Sequence, residues 1–510
     1  MYSTVMTSIV EGINTLPIFV EADISDGMPM FDMVGNLGPE VREARERVRT
    51  ALHNCGIILP AKRITINLAP GNVRKNGTAF DLPIAIGILS SMGIVDERLC
   101  NEKMFVGELN LRGEILPVNG VFPMVSDGVK NGCRSFVVPL DNMGEAELVA
   151  EAWVYGFSHL KEIIGFLNDG KYVKRTYNIE ESKTEIKQMD FAEVNGQHYL
   201  KRACEVAASG MHNLLMIGPP GAGKTMISER VATILPPLTD DEKMELSKIY
   251  SVCGMLSKMN ALLSKRPFRS PHHTITKAGL IGGGTNLHPG ELSLAHHGVL
   301  FLDELTEFQK STLELLRQPL EDHQIQLVRG NGAVSYPASV LLLAAMNPCA
   351  CGYYPDMQRC RCTPASLKRY FNRISQPLLD RIDICVEAQP LSYQELTGKA
   401  KNESSETIRD RVVRCHEIQY ERFKKEEFIH NTQIPVSKLK QYCALQEKEE
   451  RYMEHMYEKM GMTGRTYHKI LRVARTIADM EECEQIRMRH LNEAICYRGV
   501  NEKFWGGGNA

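Results

Sequence analysis

Ile217-Gly218-Pro219-Pro220-Gly221-Ala222-Gly223-Lys224-Thr225 is the segment on which the reading of this chain turns. The apolar run Leu214-Leu215-Met216-Ile217 before it predicts a buried strand, and residues 226–232 after it predict a helix. G-x-x-x-x-G-K-[ST] between a strand and a helix is the arrangement that cradles phosphate. Its glycines let backbone N–H groups fold around phosphate oxygens at a helix N-terminus. Lys224 adds a point charge, and Thr225 adds a hydroxyl for Mg2+. Gly218, Pro219, Pro220, Gly221, Ala222, Gly223, Lys224 and Thr225 are therefore the expected nucleotide contacts.

Downstream, Val299-Leu300-Phe301-Leu302-Asp303-Glu304 is a buried-strand pattern that ends in two acids. A parallel strand delivers such carboxylates to its C-terminal end, where phosphates lie. Asp303 is placed to hold Mg2+ through its waters and Glu304 to polarise an attacking water. A second buried strand, Val340-Leu341-Leu342-Leu343-Ala344-Ala345-Met346, ends in Asn347, whose amide offers donor and acceptor together. Pro377-Leu378-Leu379-Asp380-Arg381-Ile382-Asp383 then sets an arginine just before an expected strand at 382–386. Arginine suits the charge on a transferring phosphoryl group, and it can come from a neighbouring subunit.

The order of these parts resembles an AAA+ ATPase of the magnesium-chelatase-like group, and more closely the ComM/YifB-type family. The resemblance is carried by Asp190-Phe191-Ala192-Glu193-Val194-Asn195-Gly196-Gln197, Arg266-Pro267-Phe268-Arg269-Ser270-Pro271-His272-His273 and Gly290-Glu291-Leu292-Ser293-Leu294-Ala295-His296-His297-Gly298. Leu316-Arg317-Gln318-Pro319-Leu320-Glu321-Asp322 and Ala474-Arg475-Thr476-Ile477-Ala478-Asp479 complete it. It implies a homo-oligomeric ring, a hexamer, with ATP and Mg2+ at each subunit junction. Residues 218–225 would be Walker A, Asp303 and Glu304 Walker B, Asn347 sensor 1, and Arg381 an arginine finger acting in trans. Arg373 is the second finger candidate. Gly464-Arg465-Thr466 matches the sensor-2 position, so Arg465 is expected to reach the γ-phosphate from a helical lid. The family further implies a DNA partner, single-stranded or branched, and a branch-migration helicase role in recombination and natural transformation.

The implied fold class is an α+β N-terminal Lon-protease-like (ribosomal S5 domain 2-like) domain over 1–168 and a linker over 169–188. An α/β AAA+ P-loop core over 189–390 and a C-terminal helical lid over 391–510 follow. The residue pattern is consistent with this division. Strands are expected at 18–24, 63–68 and 135–139, helices at 41–55, 79–91, 407–423 and 439–460, and a polar aperiodic stretch falls on the linker. Ile470, Val473, Ala474 and Ile477 share one helical face. The tail Trp505-Gly506-Gly507-Gly508-Asn509-Ala510 is expected to fray.

In the N-terminal part, Gly107-Glu108-Leu109-Asn110-Leu111-Arg112-Gly113-Glu114-Ile115-Leu116-Pro117-Val118-Asn119-Gly120 resembles the proteolytic domain of Lon proteases. Where that family carries its serine this chain has Asn76-Gly77-Thr78-Ala79, and where it carries its lysine this chain has Val121-Phe122-Pro123-Met124. A hydroxyl with no base to take its proton is a poor nucleophile. The resemblance therefore implies a retained scaffold used as a binding platform.

Three further features stand out. Lys277-Ala278-Gly279-Leu280-Ile281-Gly282-Gly283-Gly284-Thr285-Asn286 reads as a flexible loop, either a pore loop gripping substrate or a subunit-contact turn. His272, His273, His288, His296 and His297 read as hydrogen-bonding surface groups rather than metal ligands. Cys349, Cys351, Cys360 and Cys362 can close a tetrahedral Zn2+ site, and four free thiols are the equal alternative.

The chain has 510 residues, enough for about three domains. Its formal net charge of -2 offers no global basic excess, so a nucleic-acid surface would have to be local. The N-terminus lacks a signal-peptide pattern and no long apolar run occurs, so a cytoplasmic location and no membrane partner are expected. Two other functions stay open: a protein-remodelling ATPase similar to the magnesium-chelatase motor subunit, and a Lon-like peptidase.

Overall fold

The alternating burial along Arg63–Ala69 is that of a strand with one face in a core. In the computed structural model, which describes residues 1–173, 189–256, 262–284, 287–329, 332–390, 393 and 402–505, this strand joins a seven-stranded sheet. Its order is Met30–Val34, Arg63–Ala69, Asn14–Ser25, Tyr2–Glu11, Lys103–Phe105, Ser135–Pro139, Trp153–Phe157. Tyr2–Glu11, Asn14–Ser25 and Arg63–Ala69 run antiparallel, and the strands beyond them add in parallel. The helix Asp81–Ser91 is buried at every residue and packs on the first two strands. The strands expected at 18–24, 63–68 and 135–139 and the helices at 41–55 and 79–91 all fall on observed elements. Residues 174–188 of the expected linker, 285–286, most of 391–401 and the tail 506–510 lie outside the described residues.

The second sheet has five parallel strands, in the order Phe268–Arg269, Val299–Leu302, Leu341–Met346, Leu214–Ile217, Ile384–Glu387. Leu214–Ile217, Val299–Leu302 and Leu341–Met346 are buried throughout, because helices cover both faces. That two-sided burial is why they appear in the sequence as unbroken apolar runs. Ile217 pairs with Met346, and Leu302 with Ala344, so the residues that follow these strands leave the sheet at one edge.

Helices Ser405–Phe423, Glu447–Lys459, Gly464–Met480 and Met488–Trp505 form the C-terminal part. Ile470, Val473, Ala474 and Ile477 are buried in one cluster with Leu214, Met216 and Leu341, so the C-terminal helices and the sheet share a core. Inside it Asp479 accepts from Arg422, at 2.6 Å on Oδ2, and from Asn431 at 2.8 Å, and it pairs with Arg475 at 2.9 Å. The helix expected over 439–460 is broken in two. Leu439–Tyr442 ends at the buried Cys443, and the next helix starts only after the extended Gln446. The backbone of Cys443, at φ -121° and ψ 35°, has already left the helical region.

The N-terminal domain sits on the second one through the helix Val121–Lys130, which packs against Asp240–Val252. Asp127 pairs with Lys248 at 2.6 Å and also accepts from the Thr15 N–H at 2.9 Å. Ser251 donates to Glu145 at 2.6 Å. Among the described residues no helix is long and apolar enough to cross a membrane.

Candidate nucleotide site

Gly218 leaves the strand Leu214–Ile217 so close to its neighbour that a Cβ there would stand 2.5 Å from the Ala388 carbonyl oxygen, which excludes a side chain. Gly221 and Gly223 hold φ values of +78° and +81°, in the left-handed region that glycine enters without strain. The turn so built hands over to the helix Lys224–Ile234. Lys224 Nζ donates to the Gly218 carbonyl at 2.7 Å, to Pro219 at 3.0 Å and to Asn347 Oδ1 at 3.3 Å. Burial pushes its ammonium pKa down, with the charge of Asp303 opposing.

Thr225 Oγ1 donates to Asp303 Oδ2 at 2.6 Å across 78 residues of sequence. The other oxygen of Asp303 accepts from the Glu304 N–H at 2.8 Å. Glu304 takes a φ of +50°, and its exposed carboxylate lies 3.6 Å from His273 Nδ1. Asn347 is held from behind, since Tyr370 OH donates to its carbonyl at 3.0 Å and accepts from Thr306 Oγ1 at 3.0 Å. A hydroxyl and a carboxylate this close are the donor set that octahedral Mg2+ accepts, directly or through water.

The structure brings Lys224, Thr225, Asp303, Glu304 and Asn347 to one edge and sets the expected arginines elsewhere. Arg381 pairs with Glu321 at 2.7 Å and donates to the Pro377 carbonyl, and its side chain is only 11% exposed. Arg373 is 49% exposed and bonds Glu307 at 2.9 Å, in the loop just past Glu304, at the rim of an open cleft of about 460 Å3. Arg465 reaches Asp380 at 3.4 Å, and among the described residues it makes no hydrogen bond to the phosphate loop.

Three contributors were not legible as such. Gln197 Nε2 donates to the Ala222 carbonyl at 3.0 Å and to Gln389 at 2.6 Å, tying the phosphate loop to the segment that precedes it in the fold. The Asn195-Gly196-Gln197 turn was its only signal. Tyr370 and His273 become visible only once the chain is folded.

Other sequence expectations change here. Within the loop read at 277–286, Lys277–Ile281 is a helical turn capped by Thr276, Gly282 pairs with Pro289 and Gly283 with His288. A hydroxyl cap and a glycine pair that can approach backbone closely fold it locally. His296 is buried rather than on the surface. It accepts from the Ser339 N–H at 3.0 Å and, with His297, contacts Glu245, whose carboxyl those two imidazoles hold well below the usual range.

The four cysteine sulfurs lie within 4.8 Å of one another. A backbone N–H bond from Tyr353 leads the influences that bring the Cys351 thiol down to about 6. In the N-terminal domain Thr78 donates to Glu108. Val121, Phe122 and Met124, in the stretch where the sequence resemblance expected a lysine, are buried in one apolar cluster. Lys75, three residues before Thr78, is buried and donates to the Pro70 carbonyl, and burial pushes its pKa down.

Comparison with known proteins bears on this geometry. The family described as magnesium chelatase, subunit ChlI, matches residues 190–396; a second description, subunit ChlI of Mg-chelatase, matches 20–142; and the ChlI C-terminal family matches 402–498. The chain is 40% identical over 492 residues to a protein of Salmonella typhimurium named uncharacterized protein YifB, covering 96% of each. It is 40% identical over 495 residues to competence protein ComM of Haemophilus influenzae, again covering 96% of each. The chain belongs to the ComM/YifB-type magnesium-chelatase-like family. A Lon protease of Desulfovibrio desulfuricans is 23% identical over 164 residues, 30% of this chain and 18% of that protein. This ComM/YifB-type chain thus combines a parallel AAA+ sheet with a segment similar to Lon proteases.

Proposed function

We propose that this chain is a cytoplasmic, ring-forming, ATP-driven DNA motor in which the site above cleaves ATP. One observation carries the reading: Lys224 with Asn347, and Thr225 with Asp303, converge at one sheet edge from positions 123 and 78 residues apart. Lys224 and the amides of 218–225 bind the β- and γ-phosphates. Thr225 and Asp303 would hold Mg2+, which when bound neutralises charge developing on the transferring group. Glu304 orients the attacking water and accepts its proton. Asn347 positions that water against the γ-phosphate.

The second half of the site comes from a neighbouring copy in this reading. Arg381 is our first assignment for the cation contributed in trans; its ion pair with Glu321 must open for it to reach a phosphate. Arg465 bonds Asp380, next to Arg381, and so belongs with that group. Arg373 is the alternative finger, being more exposed. The ComM relative is a competence protein by name, which supports incoming single-stranded or branched DNA as the polymer moved.

The test is ATP turnover by the purified chain with and without forked DNA at two salt concentrations. Stimulation by DNA that falls steeply with salt is expected, because phosphate contacts release counterions. ATP turnover indifferent to every DNA would reject the DNA motor and favour a protein-remodelling ATPase like the magnesium-chelatase motor subunit.

A further inference from the structure

The loop 349–362 leaves the second sheet directly after Asn347 and returns at the helix Pro364–Phe371. It has little apolar substance with which to fold itself. Met357 is 72% exposed, Tyr353 stacks under the guanidinium of Arg359 at 4.0 Å, and Tyr354 is the side chain that reaches an aromatic cluster, near Phe371 and Phe504. What the loop does bring together is sulfur. Cys349 and Cys351 are 3.2 Å apart, Cys351 and Cys360 3.6 Å, Cys349 and Cys360 3.8 Å, and Cys362 completes a group within 4.8 Å.

These separations discriminate between chemistries. A disulfide needs sulfurs about 2.0 Å apart, so none of these pairs is bonded. Four sulfurs at about 2.3 Å from a tetrahedral Zn2+ stand about 3.8 Å from one another, close to what the loop presents. The backbone N–H of Tyr354 donates to Cys349 Sγ at 3.4 Å, the kind of outer contact that orients a thiolate ligand.

The loop also touches the phosphate cradle. A Cβ on Gly352 would stand 2.7 Å from Pro220 Cδ, so the loop lies directly against the turn at 218–223 with no room for a side chain between them. On its other flank, Cys349 follows Asn347 with one residue between, and Asn347 bonds Lys224.

We infer that Cys349, Cys351, Cys360 and Cys362 hold one structural Zn2+ ion, and that the metal-folded loop, through Gly352 against Pro220 and through Asn347, braces the nucleotide site. Binding releases the thiol protons to solvent as each sulfur becomes a thiolate ligand. The bracing half rests on the nucleotide reading above; the metal half does not.

The experiment uses the full chain. Elemental analysis of protein purified without added metal should give one zinc per chain, lost in Cys360→Ser and in Cys351→Ser. Cobalt in place of zinc should give the visible absorption of a tetrahedral tetrathiolate. Wild-type protein stripped with a mercurial and a chelator should bind ADP roughly tenfold more weakly and recover when zinc alone is returned. Protein that carries no zinc and takes up neither zinc nor cobalt overturns the metal site. Zinc bound with ADP affinity unchanged on stripping overturns the bracing. Zinc-loaded protein that binds no nucleotide at all removes the bracing together with the nucleotide reading, while leaving the metal site standing.

Discussion

His273 Nδ1 lies 3.6 Å from Glu304 Oε2, and the Glu304 backbone is held at a φ of +50°. A non-glycine residue in that region stores about 1–3 kcal/mol that the surroundings must offset. The pair therefore marks Glu304 as a carboxylate whose direction is set by its neighbours. Glu304→Gln should keep ATP affinity while lowering turnover by roughly a hundredfold or more, as loss of a general base does. His273→Ala should lower turnover by about tenfold with ATP affinity unchanged, a barrier rise of about 1.4 kcal/mol. Single-turnover kinetics beside equilibrium binding separates the two.

Lys224 is expected to act on binding. Replacing its ammonium by a methyl group removes charge-assisted hydrogen bonds worth about 1.5–3 kcal/mol, so Lys224→Ala should bind ATP about 10- to 100-fold more weakly. A fluorescent ATP analogue titrated into both proteins measures it, with circular dichroism confirming that the sheet persists.

Asp383 ties the helix Gly464–Met480 to the sheet. Burial by itself raises its carboxyl pKa, but Lys469 at 3.0 Å and His212 at 3.8 Å reverse this and hold it well below the ordinary carboxylate range. A depressed folded-state pKa adds stability that is fully present above the unfolded value, about 3.9, and is lost as pH falls toward the folded one. Asp383→Asn should therefore lower Tm at neutral pH, and the difference from wild type should shrink in acid below about pH 4. Calorimetry across that range checks the sign.

Lys248 and Asp127 join the two domains with side chains only 10% and 13% exposed. Removing one partner leaves the other charge without compensation, at a cost of about 3 kcal/mol. Lys248→Ala should lower Tm and make the chain more sensitive to limited proteolysis, and Lys248→Ala combined with Asp127→Ala should be milder than the single change.

Strands buried on both faces leave a plain record in sequence, which is why Leu214–Ile217, Val299–Leu302 and Leu341–Met346, and with them Lys224, Asp303 and Asn347, were legible before folding. Contacts assembled from loops leave none. Tyr370 behind Asn347 and His273 beside Glu304 are single residues whose meaning depends on a register set elsewhere. The break at Cys443 was hidden for another reason: residues 439–446 contain no glycine or proline to signal it. Arg381 and Arg465 were recognised by position, yet the chain presents them to Glu321 and Asp380; under the proposed function the group they meet belongs to another copy.

That shared site can be tested by mixing. Lys224→Ala removes a cradle and Arg381→Ala removes a trans cation, so each variant alone should hydrolyse almost no ATP. Mixed in equal amounts, they should regain turnover at junctions where an intact cradle from one faces an intact arginine from the other. A mixture no more active than the sum of its parts, from chains that sediment as single copies with ATP present, would contradict the account.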